Sequence, residues 1–133
     1  RAAVEEAGVE PEEIDAINGH LTATGADAGE VASWAAALGL APESFPAIHS
    51  TKSLIGHGLG AAGALESVGC FLMLRDGFLH PSLNCEDVHP EIEPYAESIP
   101  HHTRDMPGLR TIAKAGFGFG DVNACVLYRR WED

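Results

Sequence analysis

Two histidines follow short apolar segments of the sequence, at places where a side chain can carry proton chemistry. His20 closely follows the alternating segment 14–18, and His57 lies in the loop after a second apolar segment. Imidazole donates or accepts a proton near neutral pH, so each ring is a candidate acid–base group or hydrogen-bond donor. A second interpretation of His20 stays open, in which it is a turn residue whose neighbours Thr22 and Thr24 cap the turn.

Lys52 shares with His57 a loop that is rich in serine and glycine, residues 50–60. The glycines let the backbone approach a ligand, and amides at the start of the following helix could hold an anion or a developing oxyanion. The residue order excludes a phosphate-binding loop, because in that motif the glycines come before the lysine. In the other interpretation, Lys52 is exposed to solvent and His57 only caps the helix.

A third candidate is the segment Gly116 to Gly120, in which Phe117 and Phe119 alternate with three glycines. Glycines can absorb a change of backbone dihedrals, so the aromatic rings could swing as a gate. Composition alone favours a different structure, a hairpin whose two phenylalanines belong to the core.

No metal site or cofactor is predicted. His101, His102 and Asp105 are the best-spaced group of potential ligands, and no second ligand pair stands at a recognised distance from them. None of the three cysteines has neighbours that favour a thiolate. Two acidic residues follow Cys85 and should raise its pKa.

Composition limits the function classes. With 133 residues and 45% hydrophobic residues, the chain can form one domain with a sizeable core. A net charge of −12 makes nucleic acid and anionic membrane surfaces poor partners. Its apolar stretches are too short to cross a bilayer. The odd number of cysteines, with no C-x-x-C pair, favours a reduced, cytoplasmic setting.

The elements that must position these residues follow the order β-α-β-α-β-β, which predicts an α/β domain. Gly8 and Gly39 are expected to end helices. We expect Gly60 and Gly63 to mark a close backbone approach within a packed layer, because glycine otherwise weakens a helix. Residues 81–107 show no period and are predicted to be a long surface excursion. The predicted strands are 14–18, 46–49, 111–116 and 122–129, and the predicted helices are 29–38 and 59–75.

Three segments, in this order, resemble the C-terminal part of β-ketoacyl-acyl-carrier-protein synthases, the condensing enzymes of fatty-acid and polyketide synthesis. Residues 51–66 match the family pattern T-K-S-x-x-G-H-x-x-G-A-A-G-x-x-E at every defined position. Residues 18–24 resemble N-x-H-G-T-x-T, and residues 117–123 resemble F-G-F-G-G-T-N. The resemblance extends over about residues 8–128.

The resemblance implies a fold as well. Residues 1–133 are expected to be the C-terminal half of a thiolase-like fold, a layered sheet with a buried central helix at 59–75. The family's nucleophilic cysteine belongs to the N-terminal half, which has no counterpart in this chain. We therefore expect an acyltransferase part that is inactive without the missing half or a partner chain.

The family chemistry implies a role for each matching residue. When a malonyl thioester loses CO₂, His20 and His57 would donate hydrogen bonds to the oxygen of the resulting enolate. Lys52 would support the site electrostatically, with Glu66 as its buried acidic partner. The backbone N–H of Phe119 would complete the oxyanion hole of the acyl-enzyme, and its ring would gate the acyl pocket. Thr22, Thr24 and Phe117 fall at substrate-binding positions, and Asn123 at a structural one.

The sequence departs from the family pattern in three places. Leu21 stands where the family has glycine, and the segment 25–30 is one residue short before its acids. Asp121 and Val122 replace the family's Gly-Thr. These changes bear on substrate choice and on the gating loop rather than on the fold.

The resemblance implies an acyl carrier protein as partner, and a homodimer or heterodimer as the assembly. Carrier proteins are acidic, so a basic docking patch is expected. Two other functions stay open, a non-catalytic subunit like a chain-length factor and a stand-alone acyl-thioester-binding module. Candidate docking residues in this acidic chain are Arg75, Arg104, Arg110, Lys114, Arg129 and Arg130.

Overall fold

A four-stranded mixed sheet forms the centre of the computed structural model, which describes residues 1–131. The strands are β1 (Ala16–Asn18), β2 (Ala47–His49), β3 (Phe78–Leu79), β4 (Arg104–Asp105), β5 (Thr111–Gly118) and β6 (Val122–Arg129). The sheet order is β2-β1-β5-β6, with β1 parallel to both β2 and β5, and β5 antiparallel to β6. β3 and β4 form a separate antiparallel pair. The α/β class predicted from the sequence is confirmed.

Within the described residues, four α-helices and several 3₁₀ turns accompany the strands. The helices are α1 (Ala2–Ala7), α2 (Asp27–Leu38), α3 (Lys52–Ile55) and α4 (Ala62–Asp76). As predicted, Gly8 and Gly39 end α1 and α2 in the left-handed conformation, with φ of 62° and 69°. The short helix α3 was not expected, because its four residues lie in a segment that reads as a loop.

The sheet separates two hydrophobic cores. Ile17 and Ile48 are paired neighbours on β1 and β2, and they pack with Trp34 of α2 on one face. On the other face, Ile112 of β5 packs with Cys70 and other residues of α4. Since side chains of a strand alternate between faces, β5 serves both cores. All three residues of β1 are buried, as expected for a central parallel strand.

Helix α4 starts later than predicted. Leu59–Ala61 forms a 3₁₀ turn, and the α-helix begins at Ala62. The close approach expected at Gly60 and Gly63 is not seen, since an added Cβ at either would meet no atom within 4 Å. Gly69 is the helical glycine that lies against a neighbour, because an added Cβ there would be 3.5 Å from Thr51 Oγ1.

The two faces of α4 differ strongly. One face, which includes Glu66, Cys70 and Met73, is buried against the sheet. The opposite face is apolar and exposed, and we call it the open face of α4. Burial raises the pKa of the Cys70 thiol to about 12, which leaves it inert. The open face consists of Leu65, Val68, Phe71 and Leu72.

The segment 81–107 is more ordered than the sequence indicates. It contains a 3₁₀ helix, Glu93–Ser98, and the strand β4 that pairs with β3. Ser82 N–H donates to the carbonyl oxygen of Pro100, which is fully buried. Most residues of the segment are at least partly exposed, so its predicted surface position is confirmed. The sequence did not indicate the 3₁₀ helix and β4, because backbone pairing and burial of single residues leave no periodic pattern.

The β5–β6 hairpin has a narrower turn than predicted. Gly116 and Gly118 belong to β5, where they pair with residues of β6, so the turn comprises only residues 119–121. Gly120 and Asp121 adopt positive φ of 75° and 60°. Phe117 is 39% exposed and Phe119 is fully exposed, so the composition-based prediction that both rings belong to the core is wrong. Within residues 1–131, no helix has the length and apolar character needed to cross a bilayer.

Candidate active site

Three chain segments meet where parallel strands end. His20 follows β1, the loop with Lys52 and His57 follows β2, and Phe117 lies near the end of β5. Because β2, β1 and β5 are parallel neighbours, their carboxyl ends lie at one edge of the sheet. The sheet order therefore brings together residues that are far apart in the sequence.

The two predicted histidines are in contact. Their ring centroids are 5.3 Å apart and the rings meet edge to face, at 83°. Phe117 packs against the His20 ring of this pair, with the two ring centroids 5.9 Å apart. The structure thus places His20, His57 and Phe117 in one cluster.

The tautomer of His57 follows from its hydrogen bond. The backbone N–H of Leu59 donates to His57 Nδ1 over 3.0 Å, so Nδ1 carries no proton. In the neutral ring the proton is then on Nε2, which is a donor. His57 is exposed and does cap the following turn. This capping role and a donor role for Nε2 are therefore compatible.

The environment of His20 favours its neutral form. Burial is the main cause that lowers its pKa, followed by the positive charge of Lys52 and the neighbouring His57. A neutral imidazole keeps one N–H as a hydrogen-bond donor and carries no net charge. His20 is therefore suited to donate to an oxygen rather than to titrate.

Glu30 of α2 fixes the backbone around His20. Its two carboxylate oxygens accept the N–H groups of His20 and Leu21, over 2.7 and 2.8 Å. Gly19 permits this approach, because an added Cβ would lie 2.9 Å from Glu30 Oε1. Burial raises the pKa of Glu30, against the opposing effect of these two bonds. Sequence reasoning missed this role, since the residue lies ten positions beyond His20.

A buried charge cluster lies beside the histidines. Lys52 Nζ is 2.5 Å from Glu66 Oε1, and Lys114 Nζ is 2.5 Å from Glu66 Oε2. All three side chains are at most 5% exposed. Lys52 is therefore not exposed to solvent, and it forms an ion pair with Glu66. Lys114 cannot belong to a docking patch, because it is buried.

A chain of hydrogen bonds connects the end of β1 with the loop after β2. Asn18 Nδ2 donates to Thr51 Oγ1 over 2.6 Å, and Thr51 Oγ1 is 2.9 Å from His80 Nε2. His80 Nδ1 lies 3.0 Å from the carbonyl oxygen of Pro81, which can only accept. In the neutral ring, Nε2 is then the acceptor of the Thr51 hydroxyl. Thr51 is part of the matched segment 51–66, but the sequence indicated no role for its hydroxyl and did not indicate His80 as part of this site.

Thr22 lines a pocket of about 400 Å³ together with Lys52 and His57, whereas Thr24 lines an adjoining pocket of about 360 Å³. Thr22 Oγ1 and Thr24 Oγ1 are 3.1 Å apart, on a turn that Asp27 stabilises by accepting backbone N–H groups. Leu21 projects into the lining of the same pocket, where the family pattern has a glycine. Substrate space beside His57 is therefore shaped by Leu21.

The remaining candidates lie on the β5–β6 hairpin and in the segment after β3. Phe119 is at the hairpin turn with its side chain fully exposed. Asn123 is exposed on β6, opposite Phe117 in the strand register. The pKa of Cys85 is raised by burial and then by Glu86, in the direction predicted. Among the described residues, no group of three His, Cys, Asp or Glu is arranged to hold a metal ion.

Comparison with known proteins identifies the family of this chain. Residues 1–86 match the family model described as "Beta-ketoacyl synthase, C-terminal domain". The chain belongs to the β-ketoacyl synthase family. It is 40% identical over 119 residues to 3-oxoacyl-acyl-carrier-protein synthase 1 of Haemophilus influenzae, which covers 90% of this chain and 28% of that protein.

Solved ketosynthases share the fold of this domain. It superposes with a TM-score of 0.89 and 32% identity on the ishigamide ketosynthase/chain length factor, over 99% of this chain and 32% of that one. A second structure, a type II polyketide acyl-carrier protein in complex with its ketosynthase, gives a TM-score of 0.81 and 26% identity over 98% of this chain and 31% of that one. The C-terminal half of a thiolase-like fold is thereby confirmed. The chain spans less than a third of these proteins.

Proposed function

We propose that this β-ketoacyl synthase domain stabilises the enolate in a decarboxylative Claisen condensation between an acyl thioester and malonyl-acyl-carrier protein. The observation that carries this proposal is the contact between the rings of His20 and His57 at the ends of β1 and β2. His57 presents Nε2–H because its Nδ1 accepts a backbone N–H. The lowered pKa of His20 keeps that ring neutral.

The chemistry requires two donors at one oxygen. When the malonyl thioester loses CO₂, the electrons of the broken C–C bond pass to the α-carbon and the thioester oxygen. Hydrogen bonds from His20 and His57 stabilise the charge on this oxygen, and each such donor is worth about 3 kcal/mol. The α-carbon then attacks the carbonyl carbon of the acyl thioester, so that the new C–C bond forms while the acyl C–S bond breaks and the thiolate of the nucleophilic cysteine leaves.

The other predicted residues support this step. Lys52, held by Glu66, supplies positive charge beside the histidines. Thr22, in the pocket that His57 lines, and Thr24, in the adjoining pocket, hold the substrate. The backbone N–H of Phe119 completes the oxyanion hole for the acyl-enzyme, with its ring and that of Phe117 as a gate and Asn123 in a structural role.

The acyl group needs a nucleophile from outside this chain. Burial raises the pKa of Cys70, Cys85 and Cys125, so all three thiols stay protonated. We propose that an N-terminal half or a partner chain carries the nucleophilic cysteine, and that the assembly is a homodimer or heterodimer. A carrier protein as partner is supported by the related ketosynthase that was solved with its acyl-carrier protein.

A second candidate function is a non-catalytic subunit like a chain-length factor. It is favoured by the similarity to a ketosynthase/chain length factor structure. The presence of both histidines and of Lys52 in one cluster argues for the catalytic subunit instead. The residue that discriminates between the two lies in the completing half, which has a cysteine at the nucleophile position only in the catalytic case.

The test is decarboxylation of a malonyl thioester by the complete protein that carries this chain. We expect His57→Ala to lower the rate at least about 100-fold, since it removes one of the two donors. His102→Ala is the matched control, because His102 is exposed and lies outside the cluster. An unchanged rate in His57→Ala contradicts the proposal, whereas loss in both variants points to a general defect in folding.

A further inference from the structure

Lys114 is the least expected residue near the site. It lies in the middle of β5, between Ala113 and Ala115, and is 4% exposed. Strand alternation puts it on the same face as Ile112, which packs in the core against α4. A buried ammonium group costs several kcal/mol unless it is well paired, so this position needs a compensating interaction.

Glu66 supplies that interaction and is shared by two lysines. Lys114 Nζ is 2.5 Å from Oε2, and Lys52 Nζ is 2.5 Å from Oε1 of the same carboxylate. Lys114 Nζ also donates to the carbonyl oxygen of Ala115. One carboxylate balances one of the two ammonium groups, so this buried cluster carries one net positive charge.

We propose, on the basis of the function proposed above, that Lys114 is a positioning residue of the site: it holds Glu66 from the side opposite Lys52 and leaves the cluster positively charged beside His20. Without Lys114, the Lys52–Glu66 pair is neutral. With it, the cluster favours neutral imidazoles and the negative charge of an enolate oxygen, because buried charges interact over several ångströms with little screening.

The charged groups around His20 support this assignment. The pKa of His20 is lowered mainly by burial, then by Lys52 and His57, and also by Lys114, whereas Glu66 alone acts in the opposite direction. Glu30 faces the backbone N–H of His20. The positive charges on α3 and β5 therefore outweigh the carboxylate on α4.

The test uses Lys114→Met and Lys114→Arg in the complete protein that carries this chain. Methionine keeps the length of the side chain and removes its charge, and apolar replacement of a buried ion is often tolerated. Histidine is labelled with ¹³C, and the titration midpoint of His20 is followed by NMR, with assignment from a His20→Gln variant. Arg75→Gln is the control, since it removes one charge from an exposed residue of α4.

We expect Lys114→Met to raise the titration midpoint of His20 and to shift the acid limb of the decarboxylation profile to higher pH. When the pH is one unit below the pKa of a ring, about nine-tenths of the rings are protonated, so the decarboxylation rate at the acid end should fall roughly 10-fold. Lys114→Arg should restore both values, and Arg75→Gln should leave the midpoint unchanged.

A folded Lys114→Met protein with an unmoved midpoint overturns the proposal, and so does a Lys114→Arg protein that behaves like Lys114→Met. The NMR measurement needs no substrate. If the unmodified protein fails to decarboxylate a malonyl thioester, the proposed function fails, and the role of Lys114 in the charge state of His20 is still decided by the midpoint.

Discussion

His49 is a single buried side chain that makes the stability of this fold depend on pH. It is fully buried on β2, and neither of its ring nitrogens has a hydrogen-bond partner within residues 1–131. Its ring meets that of His80 edge to face, with centroids 4.2 Å apart. Burial, and then the proximity of His80, lowers the pKa of His49 well below 6.5. Burial also lowers the pKa of His80, although the Pro81 carbonyl opposes it.

The free energy of unfolding should therefore fall as the pH drops below about 6.5. The unfolded chain binds protons on these rings in that range and the folded chain does not, so acid favours the unfolded state. For each ring that stays neutral, the slope is at most about 1.4 kcal/mol per pH unit. Urea unfolding of the complete protein from pH 7.5 to pH 5 measures it.

The variant His49→Phe keeps a buried ring and removes the titrating group. Its free energy of unfolding should depend less on pH than that of the unmodified protein. His102→Phe serves as the control, because His102 is exposed. Equal slopes for His49→Phe and the unmodified protein would show that His49 has no part in the acid sensitivity.

Helix α4 is the element whose two faces have different tasks. Its buried face carries Glu66 to the lysines and packs Cys70 and Met73 against the sheet. Its open face presents apolar side chains, of which Val68 is 55% exposed and Phe71 54% exposed. In a thiolase-like fold the central helices are buried between two halves, so this face is the expected contact with the completing half.

A charge on the open face should disrupt that contact and spare the domain itself. We expect Val68→Glu to reduce association with the completing half at least about 10-fold, because it buries an unpaired carboxylate. Co-purification of the two halves, expressed as separate chains, measures this association. Ala36→Glu, at an exposed position of α2, is the control. Normal association of the Val68→Glu protein contradicts the assignment of this face.

At the scale of the whole molecule, the net charge and the exposed apolar surface have opposite effects on self-association. The net charge of −12 keeps copies apart, whereas the open face of α4 and the exposed residues Leu54, Ile55 and Leu59 favour association. The expected basic docking patch is smaller than predicted, since Lys114 is buried and Arg75 pairs with Asp76. The basic residues that share one surface are Arg110, Arg129 and Arg130, which line a shallow pocket with Trp131.

The chain on its own should therefore self-associate, and more so at high salt, because salt screens the repulsion between acidic copies. Together with its completing half it should be monodisperse. Light scattering after size-exclusion chromatography, at 0.05 and 0.5 M salt, measures the mass in both cases. A monomeric, monodisperse isolated chain would favour the stand-alone acyl-thioester-binding module and contradict the half-enzyme interpretation.

Local patterns in the sequence were sufficient for β1, β2, β5, β6 and the longer helices, but not for α3, β3 or β4. Glycines after helices marked the ends of α1 and α2, because the left-handed conformation at a helix end suits glycine. The match of residues 51–66 to the family pattern singled out Lys52, His57 and Glu66, and Lys52 and Glu66 form an ion pair in the structure. These features depend on residues close together in the chain.

The tertiary structure alone decided what depends on contacts between distant segments. The sequence predicts a surface position for Lys114, which becomes a buried partner of Glu66 only when β5 packs on α4. Glu30 reaches the backbone of His20, and His80 reaches Thr51, through loop geometry that no local pattern encodes. The exposed phenylalanines of the hairpin and the open face of α4 also depend on which surfaces the rest of the fold covers. Sequence periodicity reports the average burial of an element, whereas the pairing of individual charges depends on the sheet order that brings its partners together.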